Sequence, residues 1–429
     1  MDVKILPGPL CGTIKAIPSK SQAHRALICA ALADEPVNII CEGTSKDIEA
    51  TEACLLALKA GGEDGVSLPC GESEGAVSLP CGESGSTFRF LLPIVGALGR
   101  KASFILEGRL PKRPLSPLYE ELVRHGCKLS PQGSNPFTIE GKLTPGRYTL
   151  DAGVSSQFIS GLLLALPLLD GDSELRLTGS VESFPYIELT LAMLEKFNIK
   201  ACFEDMVFSI PGRQKYRSPG TVHIEGDWSN AAFWLCAGAI PGNAITVSGL
   251  DMNSMQGDRA VLEILERFGS DLQGIDLYES DIHGSDLQGI NLRGSDLHGI
   301  EIDATDIPDL VPILSVVAAA AKGTTIIRNA GRLRIKESDR LAAVTNMLAT
   351  LGADIRETGD GLIIHGRKPL SGGTVSSWGD HRIAMSAAIA AVLCAEPVII
   401  QGAEAVNKSY PTFFEERRRL ACLHNTGKK

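Results

Sequence analysis

The chain has 429 residues, 44% of them hydrophobic and 21% charged, with a formal net charge of -10 at pH 7. That length allows two or three domains with sizeable cores, and the composition is that of a soluble globular protein. The acidic balance argues against a general polyanion binder, and an aromatic content of 5% argues against stacking platforms for nucleic acid, so any anionic ligand must meet a local cluster of basic residues.

In chain order, the first predicted element is an Ala/Leu-rich helix over residues 19–32, followed by a β-rich run at 37–40. A second helix opens at the Gly/Ser-rich turn before residue 84 and runs to 98, followed by a strand at 102–106 and an amphipathic helix at 116–125. The same order recurs as helix 155–168, strand 174–177 and helix 186–197, then as helix 227–240, strand 244–247 and helix 258–268. A fifth copy has helix 307–321 and strand 324–327. After it, the charged stretch Arg334–Ile335–Lys336–Glu337–Ser338–Asp339–Arg340 opens an apolar-periodic run through Leu351 that reads as a helix. A sixth copy has helix 379–393 and strand 397–400. On such a helix Lys336 and Arg340, four apart, would share a face, with Glu337 beside them in the first turn.

The six starts recur roughly every 65–80 residues, and the unit reads as β-α-β-α-β-β six times over, an α/β architecture. A doubly wound sheet with coincidental spacing is the alternative, but no G-x-G-x-x-G follows the first strand. Residues 82–87, GESGST, lack the lysine of a phosphate loop. Small polar residues at helix starts cap free backbone N–H groups, and those ends also attract phosphate and carboxylate. Six such starts, several beside Lys or Arg, point to a shared site for a multiply anionic ligand.

The 11 cysteines are dispersed without a C-x-x-C pair, which fits reduced thiols in the cytoplasm, and no His/Cys spacing suits a metal. The opening MDVKILPGPLCG lacks a leader pattern, and no apolar stretch reaches the ~18 residues of a membrane span.

PSKSQAHRAL, GESGSTFRFLLP, GRLPKRPLSPL, VSSQFISGLL, SFPYIELT, IPDLVPILSVVAA, RLRIKESDRL, GDHRIAMS and NKSYPTFF occur in that order. As a set they closely resemble the EPSP synthase (3-phosphoshikimate 1-carboxyvinyltransferase) family. The resemblance implies two similar domains, each of three β-α-β-α-β-β units, in an inverse α/β barrel. One domain would hold 1–18 and 227–429 and the other 19–226, with the active site in the cleft between them. It implies transfer of the enolpyruvyl group of phosphoenolpyruvate to the 5-hydroxyl of shikimate 3-phosphate, with no metal or organic cofactor. The partners expected are those two substrates, without nucleic acid or membrane, for a monomer in the cytoplasm.

Residue by residue, the resemblance assigns Lys20, Ser21, Arg25, Ser155, Ser156, Gln157, Ser183, Asp309 and Lys336 to shikimate 3-phosphate. It assigns Lys20, Gly85, Arg113, Gln157, Arg340, Arg382 and Lys408 to phosphoenolpyruvate, and the proton transfers to Asp309, Glu337 and Lys20. It further implies that glyphosate competes for the phosphoenolpyruvate site beside Gly85. It also places Tyr186 near the shikimate ring. Each assignment has a plainer alternative: capping for the serines and Asp309, surface ion pairs for the arginines, core packing for Tyr186. His381 could be an orienting or structural histidine or a catalyst. UDP-N-acetylglucosamine enolpyruvyl transferase is the nearest alternative activity. The motifs S-S-Q and KESDR favour the shikimate enzyme, and a binding-only relative is the alternative of a different class.

Two stretches depart from the family pattern. VSLPCGES occurs at 66–73 and again at 77–84, and only the second copy leads into Gly85. The first is expected to be a spacer or edge strand. Residues 270–309 divide into fives resembling pentapeptide-repeat coils, although a distorted strand or hairpin is the favoured expectation, with His283 and His298 facing solvent.

Overall fold

The computed structural model describes residues 1–60, 75–271, 289–366 and 369–422, and the backbone of 275–276. The first VSLPCGES copy, His283 and most of the first half of the five-residue repeat lie outside the described residues. Two compact units are present, Met1–Ile17 with Glu225–Lys429, and Pro18–Ile224. Each has its own apolar core.

The chain begins with strands β1 (Asp2–Ile5) and β2 (Cys11–Lys15). In the Pro18–Ile224 unit, helix α1 (Lys20–Leu32), β3 (Asn38–Ile40) and α2 (Lys46–Lys59) come first. Next come β4 (Val77–Gly82), α3 (Gly85–Ala97), β5 (Ala102–Leu106), α4 (Leu118–Arg124), β6 (Lys128–Leu129) and β7 (Phe137–Glu140). The third set is β8 (Arg147–Asp151), α5 (Ser156–Ala165), β9 (Ser173–Thr178), α6 (Phe184–Lys196), β10 (Cys202–Glu204) and β11 (Val207–Ile210), after which β12 (Thr221–His223) pairs parallel with β3.

The other unit continues with α7 (Trp228–Ala239), β13 (Ala244–Ser248), α8 (Val261–Arg267), β14 (Ile275–Asp276) and β15 (Gly289–Arg293). Then follow β16 (Glu301–Asp303), α9 (Val311–Ala320), β17 (Thr324–Arg328), α10 (Arg340–Thr350), β18 (Asp354–Glu357) and β19 (Leu362–His365). The last set is β20 (Gly373–Ser376), α11 (His381–Ala390), β21 (Val398–Gln401) and α12 (Phe413–Leu420).

The strand orders β4-β5-β7-β6, β8-β9-β11-β10, β2-β13-β15-β14 and β16-β17-β19-β18 repeat one topology. In each, the first two strands are parallel and an antiparallel hairpin completes the sheet. Four full copies of the predicted unit are therefore present among the described residues, the shorter sheets β20-β21-β1 and β3-β12 stand for the other two, and the copies are not contiguous. The first strand of the α7 set is β2 from the N-terminus, β12 joins β3 from the far end of its unit, and β1 pairs with β21. Local sequence patterning cannot register such exchanges, because the paired strands lie hundreds of residues apart.

Patterning explains which elements lie inside. In β9, SELRLT alternates buried and exposed, the period of a half-buried strand. By contrast α7, α9 and α11 are buried at every position, and beyond the polar first turns of α7 and α11 they are largely apolar on all sides, which is the mark of central helices. They pack against one another, and the sheets cover them. In the other unit α3 packs on α5, and Gly161 permits the approach: a Cβ there would stand 2.4 Å from the Arg89 carbonyl oxygen.

The second VSLPCGES copy forms β4 and ends at Ser84, the cap of α3. Within the five-residue repeat, β15 pairs antiparallel with β13 and with β14, so the described part is sheet rather than coil. His298 is exposed. The expectation of reduced thiols fails at one pair: Cys11 and Cys422 form a disulfide with Cα atoms 5.6 Å apart, within the usual bridging range. The antiparallel bridge of Leu10 to Ala421 brings these two residues together, although they are 411 positions apart in sequence. Among the described residues, no helix is long and apolar enough to cross a membrane.

Candidate functional site

In the Pro18–Ile224 unit the candidate residues gather at helix starts. Ser19 caps α1, accepting from the backbone N–H of Gln22, and Lys20 follows with its Nζ 2.7 Å from Asp47 Oδ2 at the start of α2. Ser84 caps α3, so Gly85 is the first helical residue. Arg113 lies over it: a Cβ on Gly85 would be 2.8 Å from the Arg113 Nη1 and 3.5 Å from the Arg89 Nη1. Ser155 caps α5 by accepting from the N–H of Gln157. The Gln157 side chain accepts from Arg89 Nη1 at 2.7 Å and donates to Ser86 Oγ at 2.9 Å. Gly85, Ser86, Arg89, Arg113 and Gln157 thus form one group, with two guanidiniums beside a helix N-terminus, an arrangement suited to carboxylate or phosphate.

Ser156 is half-buried in the first turn of α5. Ser183 precedes α6 in the left-handed region, with φ 57° and ψ 42°, a conformation that costs a non-glycine residue on the order of 1–3 kcal/mol. Arg25 is placed differently. It is 3% exposed, its Nε donates to Thr190 at 2.7 Å, Nη1 to the Ser21 carbonyl at 2.7 Å and Nη2 to the Tyr186 carbonyl at 2.8 Å. Burial pushes its guanidinium down to about 10. Arg25 therefore ties α1 to α6, and Ser21 shares that tie through its carbonyl.

The second group lies in the Met1–Ile17/Glu225–Lys429 unit. Arg340, 2% exposed, donates Nε to Asp380 at 2.8 Å, Nη1 to Asp309 at 2.7 Å and Nη2 to Glu337 at 2.8 Å. Burial opposes its charge, but Asp380, Glu337 and Asp309 outweigh that and hold the guanidinium above its ordinary value. Arg382 donates Nη2 to Asp309 at 2.8 Å and to the Ser229 hydroxyl at 2.6 Å. Asp309 is therefore clamped by two arginines. Burial would raise its carboxyl, yet Arg382, Arg340 and Lys336 hold it well below the usual carboxylate range. Lys336 is pushed down to about 8, first by burial and then by Arg332 and Arg340, against the pull of Asp309 and Glu337. Lys408 donates to the Gly379 carbonyl at 2.7 Å, and the His381 Nδ1 lies 3.8 Å from Asp380.

Two local readings change. Lys336 and Glu337 are not on a helix: a 3-10 turn spans Gly331–Ile335, Lys336 is extended, Asp339 is the cap, and α10 starts at Arg340. Lys336 and Arg340 do not meet by four-residue helical spacing; Asp309 draws them together. Asp309 does not cap α9 either, since that position is Leu310, and its carboxylate serves the two arginines instead. The sequence reading passed over Asp47, Arg89, Ser229 and Asp380. A signal was available for Arg89, four residues after Gly85 on one helix, and for Asp380, which caps α11. Among the described residues no cluster of His, Cys, Asp or Glu could hold a metal ion.

A family model for EPSP synthase (3-phosphoshikimate 1-carboxyvinyltransferase) matches residues 6–416. The chain belongs to the EPSP synthase family. A relative from Clostridium kluyveri named 3-phosphoshikimate 1-carboxyvinyltransferase is 44% identical over 428 residues, covering 97% of each chain. One of the same name from Clostridium perfringens is 45% identical over 445 residues, covering 98% of each. Among solved structures, EPSP synthase from Acinetobacter baumannii superposes with a TM-score of 0.78 at 28% identity, over 98% of each chain. The enolpyruvyl transferase NikO from Streptomyces tendae shares the fold, with a TM-score of 0.71 at 19% identity, covering 97% of this chain and 96% of its own. The enolpyruvyl transferase fold expected from the sequence is thus the one observed.

Proposed function

We propose that this EPSP synthase family member transfers the enolpyruvyl group of phosphoenolpyruvate to the 5-hydroxyl of shikimate 3-phosphate, releasing phosphate, in chorismate biosynthesis. The observation that carries the reading is the family match over residues 6–416 together with 44% identity across 97% of a relative bearing that activity's name. In this reading the substrate oxygen adds to C2 of phosphoenolpyruvate while its methylene C3 gains a proton. That C3 proton is then lost as phosphate leaves, so charge and atoms balance over the two steps.

The residue roles follow the sequence assignment. Gly85, Arg113, Arg340, Arg382 and Lys408 take phosphoenolpyruvate. Ser21, Arg25, Ser155, Ser156, Ser183, Asp309 and Lys336 take shikimate 3-phosphate, with Lys20 and Gln157 near both. The geometry supports a particular order of events. Asp309 is a poor proton acceptor while Arg340 and Arg382 hold its oxygens, and Arg340 also holds Glu337. An anionic donor that engages those guanidiniums competes with the carboxylates; it leaves Asp309 more basic and loosens the hold on Glu337, so that one can take the 5-hydroxyl proton and the other exchange a proton at C3. Lys336, close to half-charged near pH 8, gains its proton when a phosphate arrives. We place the enzyme in the cytoplasm as a monomer, as the family resemblance implies.

Phosphate release tests the assignment, with phosphoenolpyruvate as donor and either shikimate 3-phosphate or UDP-N-acetylglucosamine as acceptor. Release with the first alone is expected. Release with the second alone replaces the reading with the related transferase, and binding of both shikimate-enzyme substrates without release leaves a binding-only relative.

A further inference from the structure

One buried carboxylate near Arg382 has no part in the chemistry above. Asp258 is 2% exposed and lies in the 3-10 turn Gly257–Ala260 that leads into α8. It shares a hydrogen bond with the Ser229 hydroxyl in the first turn of α7. The same hydroxyl oxygen accepts from Arg382 Nη2 at 2.6 Å, and that nitrogen also donates to Asp309 Oδ2 at 2.8 Å. Arg has no acceptor, so Ser229 must accept from Arg382, and its single proton is left for Asp258. While Asp258 is ionised, the direction of every bond in the series Asp309, Arg382, Ser229, Asp258 is thereby fixed.

This places a carboxylate on each side of Arg382. In the reading above, phosphoenolpyruvate competes with Asp309 for the guanidinium. The Ser229 contact, polarised by the charge of Asp258, is then the tether that remains. We propose that Asp258 is a positioning residue for the donor substrate, acting through Ser229 to fix where Arg382 stands when phosphoenolpyruvate arrives. The proposal depends on Arg382 being a donor ligand. The groups facing Asp258 are Asp309 and Asp227, which disfavour its charge, and Arg382 and Ser229, which favour it. Burial is the largest influence, and the net effect pushes Asp258 up to about 6.

The test uses the full-length enzyme with Asp258→Asn, Ser229→Ala and the double variant, reading KM for each substrate between pH 5.5 and 8. Asp258→Asn keeps an acceptor for Ser229 but removes the charge. At pH 8 it should raise the phosphoenolpyruvate KM about 3–10-fold, the scale of one weakened hydrogen bond, with the shikimate 3-phosphate KM nearly unchanged. The gap should narrow toward pH 5.5, where wild-type Asp258 is itself neutral. Comparison with the variant cancels the substrate's own phosphate titration. In the Ser229→Ala background Asp258→Asn should add nothing, because the relay is already cut. Equal changes in both KM values, full additivity or a gap independent of pH would each overturn the proposal. If Asp258→Asn does not fold, Ser229→Ala alone must show the donor-selective rise, and a normal KM sinks the idea. If the wild type does not turn over these substrates, the functional reading fails instead. Crystal structures then decide the positioning claim: Arg382 displaced in Asp258→Asn supports it, and Arg382 superimposable on wild type overturns it.

Discussion

A side chain on Gly85 would meet Arg113: an added Cβ stands 2.8 Å from its Nη1, closer than a real contact allows. The guanidinium is the end of a flexible side chain and can retreat, so Gly85→Ala should fold normally but move a cation proposed to bind the donor. The expected outcome is a higher phosphoenolpyruvate KM, little change for shikimate 3-phosphate, and weaker inhibition by glyphosate. Steady-state kinetics with and without glyphosate check this, and equal inhibition of the two proteins would remove Gly85 from the donor site.

Glu337→Gln keeps the size of the side chain and can still accept from Arg340, yet it cannot hold a transferable proton. Turnover should fall roughly 10²–10⁴-fold, the usual range for a general acid–base residue, with a smaller effect on substrate binding. Single-turnover phosphate release separates the two. Normal turnover would move proton transfer to Asp309 or Lys20.

Lys336 gives a pH dependence whose sign follows from its position. With its ammonium pushed down to about 8, it is charged below that pH and neutral above it, and only the charged form attracts a phosphate. Affinity for shikimate 3-phosphate should be nearly level up to about pH 7, fall about twofold by pH 8, and then fall by up to about tenfold per pH unit. The substrate phosphate is already fully ionised there and adds no slope. Calorimetric titration should show the fall in wild type and a flatter profile in Lys336→Arg, whose charge persists. Lys336→Ala should bind weakly at every pH.

Arg340 holds three carboxylates, one of them the wholly buried Asp380. Arg340→Met would remove the cation that Asp380 and Glu337 share, while Arg382 still holds Asp309. Removing one partner of a buried pair typically costs about 3–5 kcal/mol, so urea unfolding should begin at clearly lower denaturant. Asp380→Asn in that background should recover part of the loss, because the second change removes the stranded charge. A wild-type midpoint for Arg340→Met would mean that the cluster contributes nothing to stability.

Much of the fold was legible in the sequence because its signals are local. Capping residues at Ser19, Ser84, Ser155 and Asp227 mark helix starts, and the apolar run of α9 could only be an interior helix. The order of helices and strands in the six units follows from the same periodicities. Candidate ligands were found by motif order, which locates residues along the chain without saying what each one touches.

Tertiary structure alone decided the partnerships. Asp309 meets Arg340 across 31 residues and Arg382 across 73, and these clamps make it a suppressed base rather than a cap. Arg25 reaches Thr190 across 165 residues and links α1 to α6. Strands β2 and β12 complete sheets begun elsewhere in the chain, and Cys11 finds Cys422. The physical reason is common to all of these. Capping and amphipathic burial are settled within a turn or two of backbone, whereas a buried charge takes its protonation and its role from whichever opposite charges the folded chain delivers within a few ångströms.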